Sequence, residues 1–171
     1  MTVFVALLRA VNVGGTGMLP MKVLAGMCTD LGFDNVRTYI QSGNVVFRSR
    51  LPGPRVQAAL EKVLTAHMGK KIDVIVRDAA EMRRVLNANP FPDAEPSKVA
   101  VAFCSVPVQK KLFDAVLAPG GEQIVASRQE VYIFYPDGMG RSKLKFPKTE
   151  GFATVRNINT VARLVSMMDD A

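Results

Sequence analysis

Two short runs rich in β-formers, Val36–Gln41 and Asn44–Arg48, are separated by nothing more than Ser42-Gly43. A connection this short returns the chain antiparallel to itself, and glycine supplies the positive φ that such a turn demands. Parallel neighbours need a crossover of about a dozen residues or more. The hairpin therefore excludes a single doubly wound parallel sheet.

The flanking pattern extends this constraint. Thr2–Val11 reads as an unbroken strand, followed by the Gly-rich loop Asn12-Val-Gly-Gly-Thr-Gly and a helix opened by Pro20. Leu24, Met27, Cys28 and Leu31 recur at i, i+3, i+4, i+7, which is one core-facing helical stripe. After the hairpin, Leu51-Pro-Gly-Pro opens a second helix with Val56, Leu60, Val63, Leu64 and His67 on one face. Ile72–Arg77 is a further strand, and Asp78-x-x-Glu81 is a capping box for a helix reaching about Asn89.

The second half repeats the order. Lys98–Val106 reads as a strand, Pro107 starts a helix carrying Val108, Leu112, Phe113, Val116 and Leu117, and Gln123–Ser127 with Val131–Tyr135 form a second hairpin. Ser142-Lys-Leu-Lys is expected to be a short helical piece limited by Pro147, and Phe152–Val155 a short strand. A last helix begins near Thr160 with Asn159 as its N-cap. The fold class is thus α+β: a tandem duplication of ferredoxin-like βαββαβ units, each followed by an extra helix, with boundaries at 1–92 and 93–171. In that order strand three lies between strands one and two, so the end of strand one meets the first hairpin. Arg9, Asn12, Gly14 and Gly15 then share a rim with Tyr39, Gln41, Ser42 and Asn44.

Composition limits the chemistry. The 49% apolar content argues against disorder, and the longest apolar run, Val3–Leu8, is far below the roughly 18 residues of a membrane span. No basic region precedes that run, so a cytoplasmic protein without a signal peptide or membrane association is expected. Two distant cysteines, Cys28 and Cys104, and the single His67 cannot supply the four ligands of a zinc centre. Neither a metal nor a cofactor is implied, and both thiols read as buried and unpaired. The 22 basic and 15 acidic residues leave a net charge of +7, which favours anionic partners. Residues 1–92 carry 12 basic and 6 acidic side chains, the remainder 10 and 9. Within the near-neutral half, Arg141, Lys143, Lys145, Lys148 and Arg156 face only Glu150.

Leu8-Arg-Ala-Val-Asn-Val-Gly-Gly, Leu31-Gly-Phe, Val36-Arg-Thr-Tyr-Ile-Gln-Ser-Gly-Asn-Val-Val-Phe, Ser142-Lys-Leu and Thr154-Val-Arg-Asn-Ile-Asn-Thr-Val together closely resemble an uncharacterised bacterial family, domain of unknown function 1697. The resemblance covers nearly the whole chain and implies a duplicated α+β fold. It implies no reaction. At Ile158 this chain departs from the tryptophan that members often carry.

Each candidate feature has two readings. Asn12-Val-Gly-Gly is either a backbone cradle for phosphate or a loop that needs glycine for its shape. Tyr39, Gln41, Ser42 and Asn44 are either turn chemistry or part of a polar site. Asn157 and Asn159 either cap the last helix while Arg156 pairs with a carboxylate, or the Arg156 fork holds a phosphate or carboxylate and a neighbouring amide reads an adjacent group. The leading expectation is a rim site for a phosphate-bearing small molecule or nucleic acid, with Lys143, Lys145 and Arg156 exposed as a second set of contacts. The competing classes are a small-molecule enzyme, with Lys143 or Lys145 as acid/base and Arg9 or Arg156 orienting substrate, and a protein-interaction module. An RNA-recognition motif is rejected, because Val3-Phe-Val-Ala-Leu-Leu and Ile72-Asp-Val-Ile-Val are apolar on both faces and leave no open stacking platform.

Overall fold

The computed structural model describes residues 1–12, 18–40, 43–114, 116 and 118–171. The chain divides into two compact units, Met1–Arg83 with Arg163–Ala171, and Arg84–Ala162.

In the first unit β1 (Thr2–Leu8), α1 (Met21–Asp30), β2 (Asp34–Tyr39), β3 (Asn44–Ser49), α2 (Gly53–Met68) and β4 (Val74–Asp78) follow one another, and α3 (Ala79–Asn87) begins at once. The sheet order is β2-β3-β1-β4, and every neighbouring pair is antiparallel. The strand expected to reach Val11 stops at Leu8, because Ala10 and Asn12 adopt left-handed backbone with φ of 55° and 55°. One sheet face presents Phe4, Ala6, Leu8, Val45, Phe47 and Val74 to Leu24, Cys28, Val56, Leu60 and Leu64 of the helices, and Phe33 stacks on Phe47 at 4.5 Å. Val5, Leu7, Val46 and Ile75 on the opposite face are equally buried, so both faces of the sheet are covered. Each fully buried aliphatic side chain contributes about 1.5–3 kcal/mol to holding these layers together. His67 ends the α2 stripe exposed to solvent. The Asp78 carboxylate accepts the Glu81 N–H at 2.8 Å, as an N-terminal helix cap does.

The second unit contains β5 (Val99–Cys104), α4 (Lys110–Asp114), β6 (Gln123–Ala126), β7 (Glu130–Phe134) and β8 (Ala153–Asn157), and α5 (Ile158–Asp169) begins in it. Its sheet order, β6-β7-β5-β8, matches the first position by position, again with every pair antiparallel. Two four-stranded antiparallel sheets of the same order are consistent with a duplicated unit. Tyr132 ties β7 to the end of α3 by donating to the Val85 carbonyl at 2.6 Å.

The copies differ between their third and fourth strands. Where α2 stands in the first, the second has a single 3-10 turn, Met139–Arg141, and then irregular chain. The helical piece expected at Ser142–Lys145 does not form. Ser142 Oγ takes the Leu144 N–H at 3.1 Å, an alternative to helical bonding, and Pro147 disfavours helical backbone just before it. α4 is likewise only five residues long and buries none of them. Among the described residues no helix is long and apolar enough to cross a membrane.

Candidate functional site

The end of β1 is held from both sides. Leu8 N–H donates to the Gly43 carbonyl at 2.9 Å, and Arg9 N–H donates to the Asp73 carbonyl at 3.0 Å. The first hairpin and the lead-in to β4 thus flank the same stretch of backbone. Gly43 has a φ of +84°, and a Cβ there would lie 2.7 Å from Val11 Cγ2 and 2.9 Å from Leu8 Cβ. Only glycine lets the turn approach this closely.

Two predicted rim residues face inward or close their own loop. The Asn12 amide donates to the Leu19 carbonyl at 2.8 Å, and its oxygen accepts the Leu19 N–H at 2.6 Å. This pair of bonds ties together the two ends of the segment between them. Asn44 is fully buried and donates to the carbonyl of half-buried Tyr39 at 3.0 Å, which is turn chemistry. Gly14, Gly15, Gln41 and Ser42 lie outside the described residues.

Arg9 keeps its side chain in solvent, 49% exposed, with Nη1 3.4 Å from Asp73 Oδ2. Lys71 Nζ stands 3.6 Å from Asp73 Oδ1 and is 84% exposed. Two cations therefore share one carboxylate, with Lys70 next in sequence and also exposed. Sequence reasoning missed Lys70 and Lys71. The signal was present: they precede a strand whose start lies antiparallel to the end of β1, where Leu8 pairs with Val74.

Backbone strain gathers at this edge. Of the four non-glycine residues with positive φ among those described, Ala10 and Asn12 follow β1, Ile40 follows β2 in the hairpin turn, and Asn35 is within β2. A β-branched residue in this region is a genuine outlier. Ile40, at φ 48°, is also 48% exposed.

The other predicted contacts belong to the second unit. Arg141, Lys143, Lys145 and Lys148 are exposed. Arg156, expected to be exposed with them, is 6% exposed and lies on the face of β8 that pairs with Val101. Its guanidinium donates to Thr154 Oγ1 at 2.7 Å and to the Val155 carbonyl at 3.0 Å. Burial lowers its pKa to about 10, so it stays cationic at neutral pH but inside the unit. Asn157, not Asn159, caps α5: its Oδ1 accepts the Thr160 N–H at 2.9 Å, and the helix starts at Ile158, about two residues earlier than expected. Asn159 is exposed. Cys28 is buried, with its thiol pKa pushed up to about 12 by desolvation. Cys104 is only partly buried, unlike the sequence expectation. Among the described residues no group of three or more His, Cys, Asp or Glu is placed to hold a metal.

The fold resembles that of the conserved bacterial protein SP0830 from Streptococcus pneumoniae, with a TM-score of 0.78 over 98% of each chain at 20% identity. No curated protein matches the sequence. The family described as "Protein of unknown function (DUF1697)" matches residues 1–132, three quarters of the sequence, and the chain belongs to that family.

Proposed function

We propose that the chain binds a phosphate-bearing anion at the edge of its first unit, where Arg9 and Lys71 flank the end of β1. The observation that carries this reading is the coincidence of strain and charge at one place. Ala10 holds left-handed backbone, and Asn12 follows it in the same region, directly after Arg9, one of two cations that share the single carboxylate of Asp73. Strained residues persist where surrounding structure over-determines them, and such positions gather at binding sites. An anion there meets a guanidinium fork and an ammonium whose charge Asp73 only half offsets.

Asn12 and Asn44 support the site from behind by fixing the loop ends and the turn, and do not themselves contact the ligand in this reading. Each sequence half, 1–92 and 93–171, is read as one ferredoxin-like copy, supported by the shared strand order. That Cys28 and Cys104 form no disulfide with each other fits a reducing, cytoplasmic setting.

Calorimetric titration with inorganic pyrophosphate and with a nucleoside monophosphate at low salt tests the proposal. Saturable binding to at least one of them is expected, weakened about tenfold or more by Arg9→Ala or Lys71→Ala, as loss of a charge-assisted contact implies. Failure of both anions to bind the unaltered protein removes the proposal.

A further inference from the structure

The second unit holds a cleft that shares no residue with the Arg9 and Lys71 region. This shallow cleft of about 120 Å³ opens between the turn that ends at Glu122 and the segment Asp137–Lys143. Drug-sized pockets begin at about 300 Å³, so this one suits a ligand of a few heavy atoms.

Glu122 lines the cleft and is only 8% exposed. Its Oε1 accepts the Ser142 hydroxyl at 2.7 Å, and its Oε2 accepts the Gly120 N–H at 2.8 Å. A Cβ at Gly120 would lie 2.9 Å from Oε1, so glycine is what lets the carboxylate fold back over the turn. The Ser142 hydroxyl, with backbone N–H groups behind it, holds the Glu122 pKa below its ordinary value. The group is therefore anionic at neutral pH, and no cation pairs with it among the described residues. Covered charges are ordinarily paired. Only the turn and one segment cover this one, close to the molecular surface, and the cleft leaves it reachable from water.

Tyr135 stands in the same cleft. It is 5% exposed, its ring packs with Ala100, Ala102, Val131 and Ile133, and its hydroxyl has no hydrogen-bond partner among the described residues. The ring is covered while the hydroxyl oxygen keeps contact with the water of the cleft, where a ligand can reach it. At the mouth of the cleft are Arg141 and Lys143, both exposed, with Asp137 between them and Tyr135 in sequence. Glu122 and Asp137 balance Arg141 and Lys143, so the lining is neutral overall but carries both signs.

We propose that this cleft binds a small zwitterion of the amino-acid class, its ammonium on Glu122 and the Tyr135 hydroxyl and its carboxylate toward Arg141 or Lys143. The ammonium supplies the countercharge that the carboxylate lacks and takes the place of water on the phenol oxygen. The cations at the mouth select against a simple amine.

The test is an amide-resolved NMR titration of the full chain with glycine, β-alanine, ethylammonium chloride and sodium acetate at constant ionic strength. Saturable shifts at Gly120, Glu122, Gly138 and Ser142 are expected with glycine or β-alanine. Binding of the two single-charge probes should be weaker by about tenfold, the usual loss for one charged hydrogen bond. Glu122→Gln should weaken the zwitterion by a similar factor. Tyr135→Phe removes no internal hydrogen bond, so it should keep the fold while weakening binding severalfold, and it decides the matter if the Glu122 variant does not fold. No saturable shift with either zwitterion overturns the proposal. So does unchanged binding in Tyr135→Phe, or equal binding of ethylammonium.

Discussion

Gly43 and Gly69 have similar backbone but different surroundings, and comparing them separates conformational strain from crowding. Gly69 ends α2 at φ 71° with nothing within 4 Å of an added Cβ, whereas Gly43 would meet Val11 and Leu8 at 2.7 and 2.9 Å. Gly69→Ala should cost about 1–2 kcal/mol, the left-handed penalty alone. Gly43→Ala adds overpacking and should cost roughly 2–5 kcal/mol. Denaturant midpoints of the two variants check this, and equal losses would mean that the turn does not press on β1. The thiols give a second comparison. Cys28 is buried with a pKa near 12, and Cys104 is partly exposed. In native protein a thiol reagent should label Cys104 first and reach Cys28 only on unfolding. Early labelling of Cys28 would contradict the packing of α1 on the sheet.

At the scale of elements, β8 and the chain before it divide the basic residues into two kinds. Arg156 is built into β8, and its loss leaves the Thr154 hydroxyl without that bond, so Arg156→Ala should destabilise by about 1–3 kcal/mol. Lys143→Ala with Lys145→Ala should change stability by no more than about 0.5 kcal/mol per site, because both side chains are in solvent. Thermal unfolding of both variants reads the difference. The same substitutions test nucleic acid as the anionic partner. If Arg141, Lys143, Lys145 and Lys148 each meet a phosphate of a duplex, log K should fall with log salt at a slope of about −3.6, and the double variant should flatten it by about 1.8. Absence of binding at low salt removes duplex from the candidates.

For the whole molecule, the two compact units are not two consecutive stretches of chain. Arg163–Ala171 belongs with Met1–Arg83. There the Arg37 guanidinium donates to the Met167 carbonyl, and Arg83 meets Asp169 at 3.0 Å. Leu164, Val165, Met167 and Met168 are buried. Truncation after Ala162 should therefore cost at least about 4 kcal/mol, counted conservatively from four buried apolar side chains. Hydrogen exchange should show protection lost in β1–β4 before β5–β8. The reverse order would assign the C-terminal residues to the other unit.

What the sequence determined by itself was local and periodic. Ser42-Gly43 marked a hairpin, although Tyr39 pairs with Asn44 and the connection spans four positions, 40–43, not the two expected. The stripe through Leu24 and Cys28 specified a buried helix face, and Asp78 specified a cap, because turn backbone, helical period and capping depend on residues a few positions apart. Strand order followed from these, and with it the meeting of β1 with the hairpin. The direction of polar side chains did not follow. Arg156 turned inward because β8 pairs in a register that sets it opposite Val101, 55 positions earlier in the chain, and a one-residue slip would have exposed it. Asn44 was buried because it pairs with Leu7 as well as Tyr39. Arg9 and Lys71 became neighbours through Asp73, and Glu122 met Ser142 across 20 residues of chain. Such pairings depend on which segments the fold brings together, which local pattern does not encode, so only the tertiary structure decided where the charges of this protein converge.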